Sequence, residues 1–566
     1  MRHTLLFPAL ASAIWLTACH SAADGSANTA DQAAQPATPA AQHAFSADIN
    51  LADYTELLKT LASDQMEGRA PGTQGEERSI EYIRQQFEAA GLKPGNNGDW
   101  FQTVAMTVTE ASPDTTMQVE VGGKQHTLKF GDDMVVGTRT GEAQVKLDAS
   151  QLVFVGYGVD APEHNWNDYA GVDVKGKTVV MFVNDPGFHA GDESLFEGKR
   201  MTYYGRWTYK FEEAARKGAS GALVIHDDAG AAYGWGVVKN SWSGEQFDLP
   251  AKRDPEPRLP IQGWLTGETA AKLFADAGLD LEKMRQAAGK RGFKAVPLDA
   301  RMSVALSSKV SEKSSRNVIG LLPGSETPDE AIVYMAHWDH LGKHEGEGDQ
   351  IYNGAVDNAT GVAGIIEIAG QFAAKPPKRS VLFLAVTLEE SGLLGSKHYV
   401  NSAPVVPMDK TVAVINMDAM PVGGRARNMT VIGMGNSELE DLLAEALKPQ
   451  ERIITPEATP EDGFYFRSDH FNFAKAGVPA LYAKGGDDLR EGGTEAGQAV
   501  MADYRKHRYH KPSDEFDPNW KLDGLVEDLQ ALYQVGNRVA NDGSWPNWYK
   551  SSAFRAKRDA MMAGKK

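Results

Sequence analysis

The chain has 566 residues, 42% hydrophobic and 24% charged, a composition that suits folded domains and excludes bulk disorder or a fibrous repeat. Lys and Arg number 58 against 76 Asp and Glu, and the net charge of −18 argues against nucleic-acid binding as the main role. The single cysteine, Cys19, rules out an internal disulfide and a thiolate metal site, so any metal must be held by His, Asp and Glu.

The N-terminus reads Met1-Arg2-His3, then an apolar run from Leu5 to Leu16, then Leu16-Thr17-Ala18-Cys19. A positive start, a short apolar core and small residues predict a signal peptide over 1–18. Leu-Thr-Ala-Cys looks like a bacterial lipobox, which makes Cys19 the lipid-bearing first residue of the mature chain. The run is too short to span a bilayer, so the expected tie to the membrane is the lipid alone. Export and attachment to the bacterial cell envelope follow as expectations. Residues 19–44, dominated by Ala, cannot bury enough apolar surface to fold and predict a disordered tether.

Folded sequence is expected from about residue 45. Apolar spacing predicts helices over 54–61 and 75–91, with a Gly- and Pro-rich loop at 67–73 between them. The period then changes to two, predicting a hairpin at 117–130 around Gly122-Gly123, and strands at 152–157, 178–183 and 222–226 with a helix at 209–217. Residues 130–298 are expected to form a separate β-rich module. From 331 onward, near-continuous apolar strands at 331–336, 380–386, 411–415 and 429–432 alternate with helices at 361–374 and 437–447. That pattern predicts an α/β fold with a mostly parallel central sheet covered on both faces, and ligands then bind beyond the carboxyl ends of its strands. The stretch 546–566 is expected to be a solvated C-terminal tail.

Three short polar segments directly follow these strands, Ala336-His-Trp-Asp-His340, Thr387-Leu-Glu-Glu390 and Ile415-Asn-Met-Asp418; a fourth, Val356-Asp-Asn-Ala359, opens a helix, and a later one reads Tyr509-His-Lys-Pro-Ser-Asp514. Each alone is weak. Together they bring several carboxylates and at least two imidazoles to one sheet edge, where the carboxylates repel unless cations neutralise them. Imidazole and carboxylate without thiolate suit zinc.

In this order the segments resemble the co-catalytic zinc peptidases of the M28 family. Glu67-Gly-Arg-Ala-Pro-Gly-Thr73 resembles the family's N-terminal signature, and Val155-Gly-Tyr-Gly158 with Asn167-Asp-Tyr169 and Gly171–Lys177 resembles its inserted protease-associated domain. The resemblance implies a peptidase domain in two pieces, 45–129 and 299–545, interrupted by that insertion at 130–298. It implies two zinc ions, one held by His337 and Asp418, the other by Glu390 and His510, with Asp357 bridging both and followed by a cis peptide to Asn358. Asp339 would orient His337, and Glu389 would act as general base. Ser468, Asp469 and His470 would line the substrate pocket. The implied activity is that of an exopeptidase on peptide substrates, an aminopeptidase first. A carboxypeptidase or dipeptidase of the glutamate-carboxypeptidase kind is the alternative, and a non-catalytic binding protein a remote third. Metal ligands do not separate the first two, because an α-amine needs a carboxylate nearby and an α-carboxylate needs Arg or Lys, for which Arg467 is a candidate.

Overall fold

The computed structural model describes residues 46 and 48–564; the expected signal peptide, Cys19 and the expected tether lie outside the described residues. The main helices, in chain order, are α1 (Leu51–Leu61), α2 (Gln74–Ala89), α3 (Trp207–Arg216), α4 (Thr360–Ala374), α5 (Leu394–Ser402), α6 (His470–Lys475) and α7 (Asp523–Asn541). The main strands are β1 (Phe101–Ala111), β2 (Thr116–Val121), β3 (Lys124–Lys129), β4 (Met134–Gly137), β5 (Gln144–Phe154), β6 (Thr178–Phe182), β7 (Gly221–Ile225), β8 (Ile261–Leu265), β9 (Val296–Leu322), β10 (Thr327–His337), β11 (Arg379–Val386), β12 (Thr411–Asn416), β13 (Asn428–Val431) and β14 (Ala480–Gly485).

A first sheet runs β1–β9–β11–β10–β12–β14–β13. Its centre, β11–β10–β12–β14, is parallel, and antiparallel strands finish both sides. The apolar runs read from sequence split by the strand period of two. Ile332, Tyr334, Phe383 and Ile415 face one core with Ile365, Phe372 and Leu529 of α4 and α7. Val333, Met335, Leu382, Leu384 and Val414 face the other, with Tyr399 of α5 and Phe473 of α6. Burial of each such side chain contributes roughly 1.5–3 kcal/mol, so both faces of the sheet must be covered for it to persist. The α/β expectation therefore holds. Helix α7 lies outside the elements expected from sequence; it supplies Leu525, Leu529 and Leu532 to the first core.

A second sheet runs β3–β2–β9–β5–β6–β7–β8–β4. It too is buried on both sides, Val180 and Phe182 in one cluster and Val179 and Met181 in another. Strand β9 belongs to both sheets. Its first part, 296–307, pairs with β2 and β5, and its last part, 308–322, with β1 and β11. Burial along it matches this division: alternate residues are buried up to Ser308, residues 309–314 are exposed, and burial resumes at Ser315. The sequence-based division at 129/130 differs from the pairing. The β2–β3 hairpin, expected with the first piece, pairs with β9 in the second sheet, because residues 117, 119 and 121 need that sheet's core.

The C-terminal stretch is not a solvated tail. Trp548 is fully buried, with its indole N–H on the Gly477 carbonyl at 3.0 Å, and Phe554 packs against it with ring centres 5.1 Å apart. A further helix, Arg555–Ala563, buries Arg558, whose guanidinium reaches the carbonyls of Thr411 and Val412 at 3.2 and 3.4 Å. Arg558 is thus a hydrogen-bond donor to the start of β12. Among the described residues no helix is long and apolar enough to cross a membrane. Replacing Trp548 by Ala should lower the unfolding free energy by about 3–5 kcal/mol in a urea titration, as expected for a buried Trp and not for a tail residue.

Candidate metal centre

The register of the parallel strands fixes where the polar segments land. Across β10 and β11, His337 pairs with Val386, and across β10 and β12, Met335 pairs with Asn416. His337, the Glu389-Glu390 pair and Asp418 therefore leave the sheet side by side at the carboxyl edge. Asp357 reaches the same place from an irregular turn, Ala355–Ala359, that opens α4, and its bond to Asn358 is cis. The Asn358 side chain ties this turn to β12: its amide donates to the Met417 carbonyl at 3.0 Å and its oxygen accepts from Ala419 N at 3.2 Å. A β-carbon on Gly361 would lie 2.4 Å from Asn358 Oδ1, so glycine permits the close approach of α4. His510 arrives last, after the turn Tyr504–Arg508, with its ring stacked on Tyr509 at 4.0 Å.

The five expected ligands meet. His337 Nε2 lies 3.2 Å from Asp357 Oδ1 and 3.4 Å from Asp418 Oδ1. His510 Nε2 lies 3.3 Å from Asp357 Oδ2 and 3.2 Å from Glu390 Oε2. Asp357 thus touches both imidazoles, one with each oxygen. His337 Nδ1 donates to the Asp339 carbonyl at 3.1 Å, which turns the bare Nε2 face toward the carboxylates. Nε2 of His337 and of His340 are buried without a hydrogen-bond partner. Lone pairs facing carboxylate oxygens in a buried site need either protons or a cation between them, and this donor set suits zinc. Two groupings have ligand atoms within 4.8 Å of one another: His337, Glu389 and Asp418, and His340, Asp357 and Glu390.

Charges in the cluster act strongly on one another. Burial pushes the Glu389 carboxyl well above its usual range, with Glu390 and Asp418 adding to the effect over the opposing pull of His337. Burial also raises Asp339 to about 7. Glu390 stays low, about 2, because His340 and His510 offset its burial and the repulsion of Asp357. His510 is held at about 10 by Asp357 and Glu390 against the downward pull of burial.

Several supports were not apparent from sequence. Asp339 orients less through His337 than through the Glu389-Glu390 loop: its carboxylate accepts the amides of Glu389 and Glu390 at 3.1 and 3.4 Å, and stands 3.8 Å from His337 Nδ1. Asp514 accepts the amides of Val356 and Asp357, each at 3.1 Å, and so holds the Asp357 turn. His340 Nδ1 contacts Glu390 Oε1 at 2.7 Å; its spacing three residues after His337 was the available signal. Arg69 is buried and donates to four carbonyls, Leu61 (2.8 Å), Trp338 (2.8 Å), Asn353 (2.5 Å) and Gly354 (2.9 Å). It clamps the loops on either side of the cluster. Burial lowers Arg69 to about 10, against the attraction of Asp514, Asp357 and Asp339.

Ser468, Asp469 and His470 lie buried under the cluster. Ser468 Oγ accepts from the Asn416 amide at 2.8 Å, and Asp469 accepts from Ser396 Oγ at 2.5 Å. Asp469 Oδ2 and His470 Nε2 keep no partner among the described residues. Burial pushes Asp469 up to about 7 and His470 down to about 3.

Residues 317–533 match peptidase family M28. The chain is 28% identical over 158 residues to aminopeptidase NAALADL1 of Mus musculus, a match covering 27% of this chain and 19% of that protein. It is 28% identical over 275 residues to the probable lipoprotein aminopeptidase LpqL of Mycobacterium tuberculosis, covering 45% of this chain and 51% of the relative. The matches thus span between about a fifth and a half of the length of these curated relatives. Among solved structures, an aminopeptidase from Aneurinibacillus sp. strain AM-1 is similar with a TM-score of 0.47 at 18% identity, covering 88% of this chain and 96% of the other.

Arg69→Met removes all four clamp bonds. With each buried group left unpaired costing roughly 1–3 kcal/mol, the unfolding free energy in urea should fall by about 3 kcal/mol or more.

Proposed function

We propose, from the match of residues 317–533 to peptidase family M28, that the chain is a zinc-dependent exopeptidase, an aminopeptidase that releases N-terminal residues from peptides. The observation that carries this reading is the meeting of His337, Asp357, Glu390, Asp418 and His510, with both Nε2 atoms 3.2–3.4 Å from carboxylate oxygens. The names of the mouse and mycobacterial relatives support the aminopeptidase end over the carboxypeptidase one. In this reading His337 and Asp418 would hold one zinc and Glu390 and His510 the other, with Asp357 shared between them.

Zinc held there supplies Lewis acidity, which brings water within reach of a carboxylate base and polarises a peptide carbonyl. The chain's own residues do the rest. Glu389 stands beside the cluster and takes the proton of the attacking water on its carboxylate, then returns it to the departing amine. Asp339, by accepting the Glu389 and Glu390 amides, keeps the base and the adjacent ligand at fixed separation. Asp514 does the same for Asp357 through its backbone. Ser468, Asp469 and His470 line or support the pocket from below.

The second-sheet module, about residues 116–307, is read as an inserted protease-associated module, and Cys19 as the lipid-bearing residue that ties the exported enzyme to the cell envelope. The name of the mycobacterial relative, a lipoprotein, supports the latter.

Glu389→Gln should retain zinc and the unfolding midpoint of the parent while losing about 10²–10⁴-fold in kcat. Near-parental turnover would remove Glu389 from the role. N-terminal acetylation of a tripeptide should abolish its cleavage, followed by mass spectrometry, and C-terminal amidation should not. The reverse pattern would make the enzyme a carboxypeptidase. Elemental analysis should find about two zinc ions per chain, falling to about one in His510→Ala.

A further inference from the structure

A cleft opens where three parts of the chain meet: residues 197–204 of the second-sheet module, the loops 433–436 and 457–466 that come after β13, and residues 551–554 near the C-terminus. It holds about 620 Å³ of empty space, part of it open to solvent. No residue of the candidate metal centre lines it.

Its walls are fixed to one another. Met201 N donates to the Pro460 carbonyl at 3.2 Å, Tyr549 N to the Asn436 carbonyl at 2.8 Å, and the Asn436 amide to the Gly433 carbonyl at 2.6 Å. Glycines let the walls come close. A β-carbon on Gly463 would lie 2.4 Å from Met201 Sδ, and one on Gly433 would lie 2.2 Å from the Tyr465 ring. The cleft is therefore formed before any ligand arrives.

Two polar atoms beside Gly433 are left over. Glu457 Oε1 accepts the Gly433 amide at 2.9 Å, but Oε2 is buried without a partner. Tyr465 is 4% exposed, with its ring against Gly433 and its hydroxyl also buried and unpartnered. Leaving such groups unmatched is costly, and both accept from the same kind of donor.

Charge points the same way. Glu197 and Glu457 line the cleft against Arg200, the one lysine or arginine among the described residues there, and Arg200 already meets Glu197 at 3.1 Å. Burial holds Glu457 above its usual range, over the opposing pull of the Gly433 amide, Arg200 and Lys484. The Lys484 ammonium is itself committed to the Asp418 and Ala419 carbonyls, at 3.4 and 3.3 Å. The remaining walls include the rings of Tyr204, Phe466 and Phe554. A net-negative cleft with aromatic faces suits a cation that is partly apolar, and not a hydrated metal ion.

We propose that this cleft is a site for an organic cation, an alkylammonium or guanidinium group, that donates to Glu457 Oε2 and Tyr465 Oη and lies against the rings. The cation is either the basic side chain of a bound peptide or a free small amine, and both present the same chemistry. The peptide source rests on the peptidase reading above, and the free amine does not. The cleft adjoins the candidate centre through Tyr465, whose ring centre is 4.6 Å from that of His470.

Zinc-loaded full-length protein carrying Glu389→Gln, to prevent turnover, separates these sources by calorimetry. Butylguanidinium is compared with uncharged butylurea. Alanine tripeptides carrying one arginine, at each position in turn, are compared with the same peptides carrying uncharged citrulline. The cationic member of at least one pair should bind at least about tenfold more tightly than its neutral partner, the size of one charge-assisted hydrogen bond. That preference should shrink to within about twofold in Glu457→Gln and in Tyr465→Phe, both close in shape to the parent side chain. Glu197→Gln, at the exposed rim and without consequence for folding, should lower it by about threefold. A preference in the butyl pair alone identifies a free amine, and a preference at one peptide position identifies the side chain. No preference in any pair, which leaves water as the occupant, overturns the site, and so does a preference that survives both Glu457→Gln and Tyr465→Phe. A butylguanidinium preference lost in Glu457→Gln, in a protein whose parent cleaves no peptide, would reject the peptidase reading and keep the site.

Discussion

Carboxylates crowd one edge of the first sheet closely enough to repel one another, and much of the surrounding structure answers that repulsion. Asp357 sits between two imidazoles, with one oxygen toward each. Glu390 has His340 on one oxygen and His510 on the other. Burial alone would make each acid neutral or expel it. The histidines offset this in part, and Nε2 of His337 is left buried without a hydrogen-bond partner beside Asp357 and Asp418.

That balance requires loops that do not yield. The ligand-bearing segments are irregular, and their backbone groups are tied down by side chains rather than by regular ladders. Arg69 holds the segments at Trp338 and at Asn353-Gly354, Asp339 holds the Glu389-Glu390 loop, Asp514 holds the Asp357 turn, and Asn358 ties that turn to β12. Each of these polar groups is itself buried and satisfied by backbone, which makes its own burial tolerable. The rigidity of these loops thus comes from a shell of acids, an amide and one arginine.

Strand β9 gives the molecule its larger organisation. A single strand of 27 residues pairs in the second sheet with its first part and in the first sheet with its last. The second module is therefore joined to the sheet that carries the cluster by continuous backbone, and its residues Tyr203 and Glu212 reach the helix α6 region, where Lys475 meets Glu212 at 2.8 Å. Tyr203 packs on Phe471 and Phe554 there. Tyr203 is thus part of a seam between the two modules.

How much was legible in the sequence depends on whether the signal was local. The strands β10, β11 and β12 announce themselves as continuous apolar runs, and each is followed by the polar residues that its carboxyl end delivers, so the fold class and the arrival of His337, Glu389-Glu390 and Asp418 at one edge could be read without coordinates, while Asp357 and His510 entered only through the resemblance to the M28 family. Strand β9 could not, because its middle is polar and exposed and its alternation serves two different cores. Helix α7 and the C-terminal Trp548 went unread for the same reason: their apolar residues are meaningful only against β10 and β12. Arg69 and Asp514 carry no periodic signal at all. The sequence by itself determined which residue types would leave the ends of the central strands, since the apolar runs and the polar residues that follow them are local. Only the tertiary structure decided which strands lie side by side and which polar groups hold the loops, because those depend on side chains brought together from distant parts of the chain.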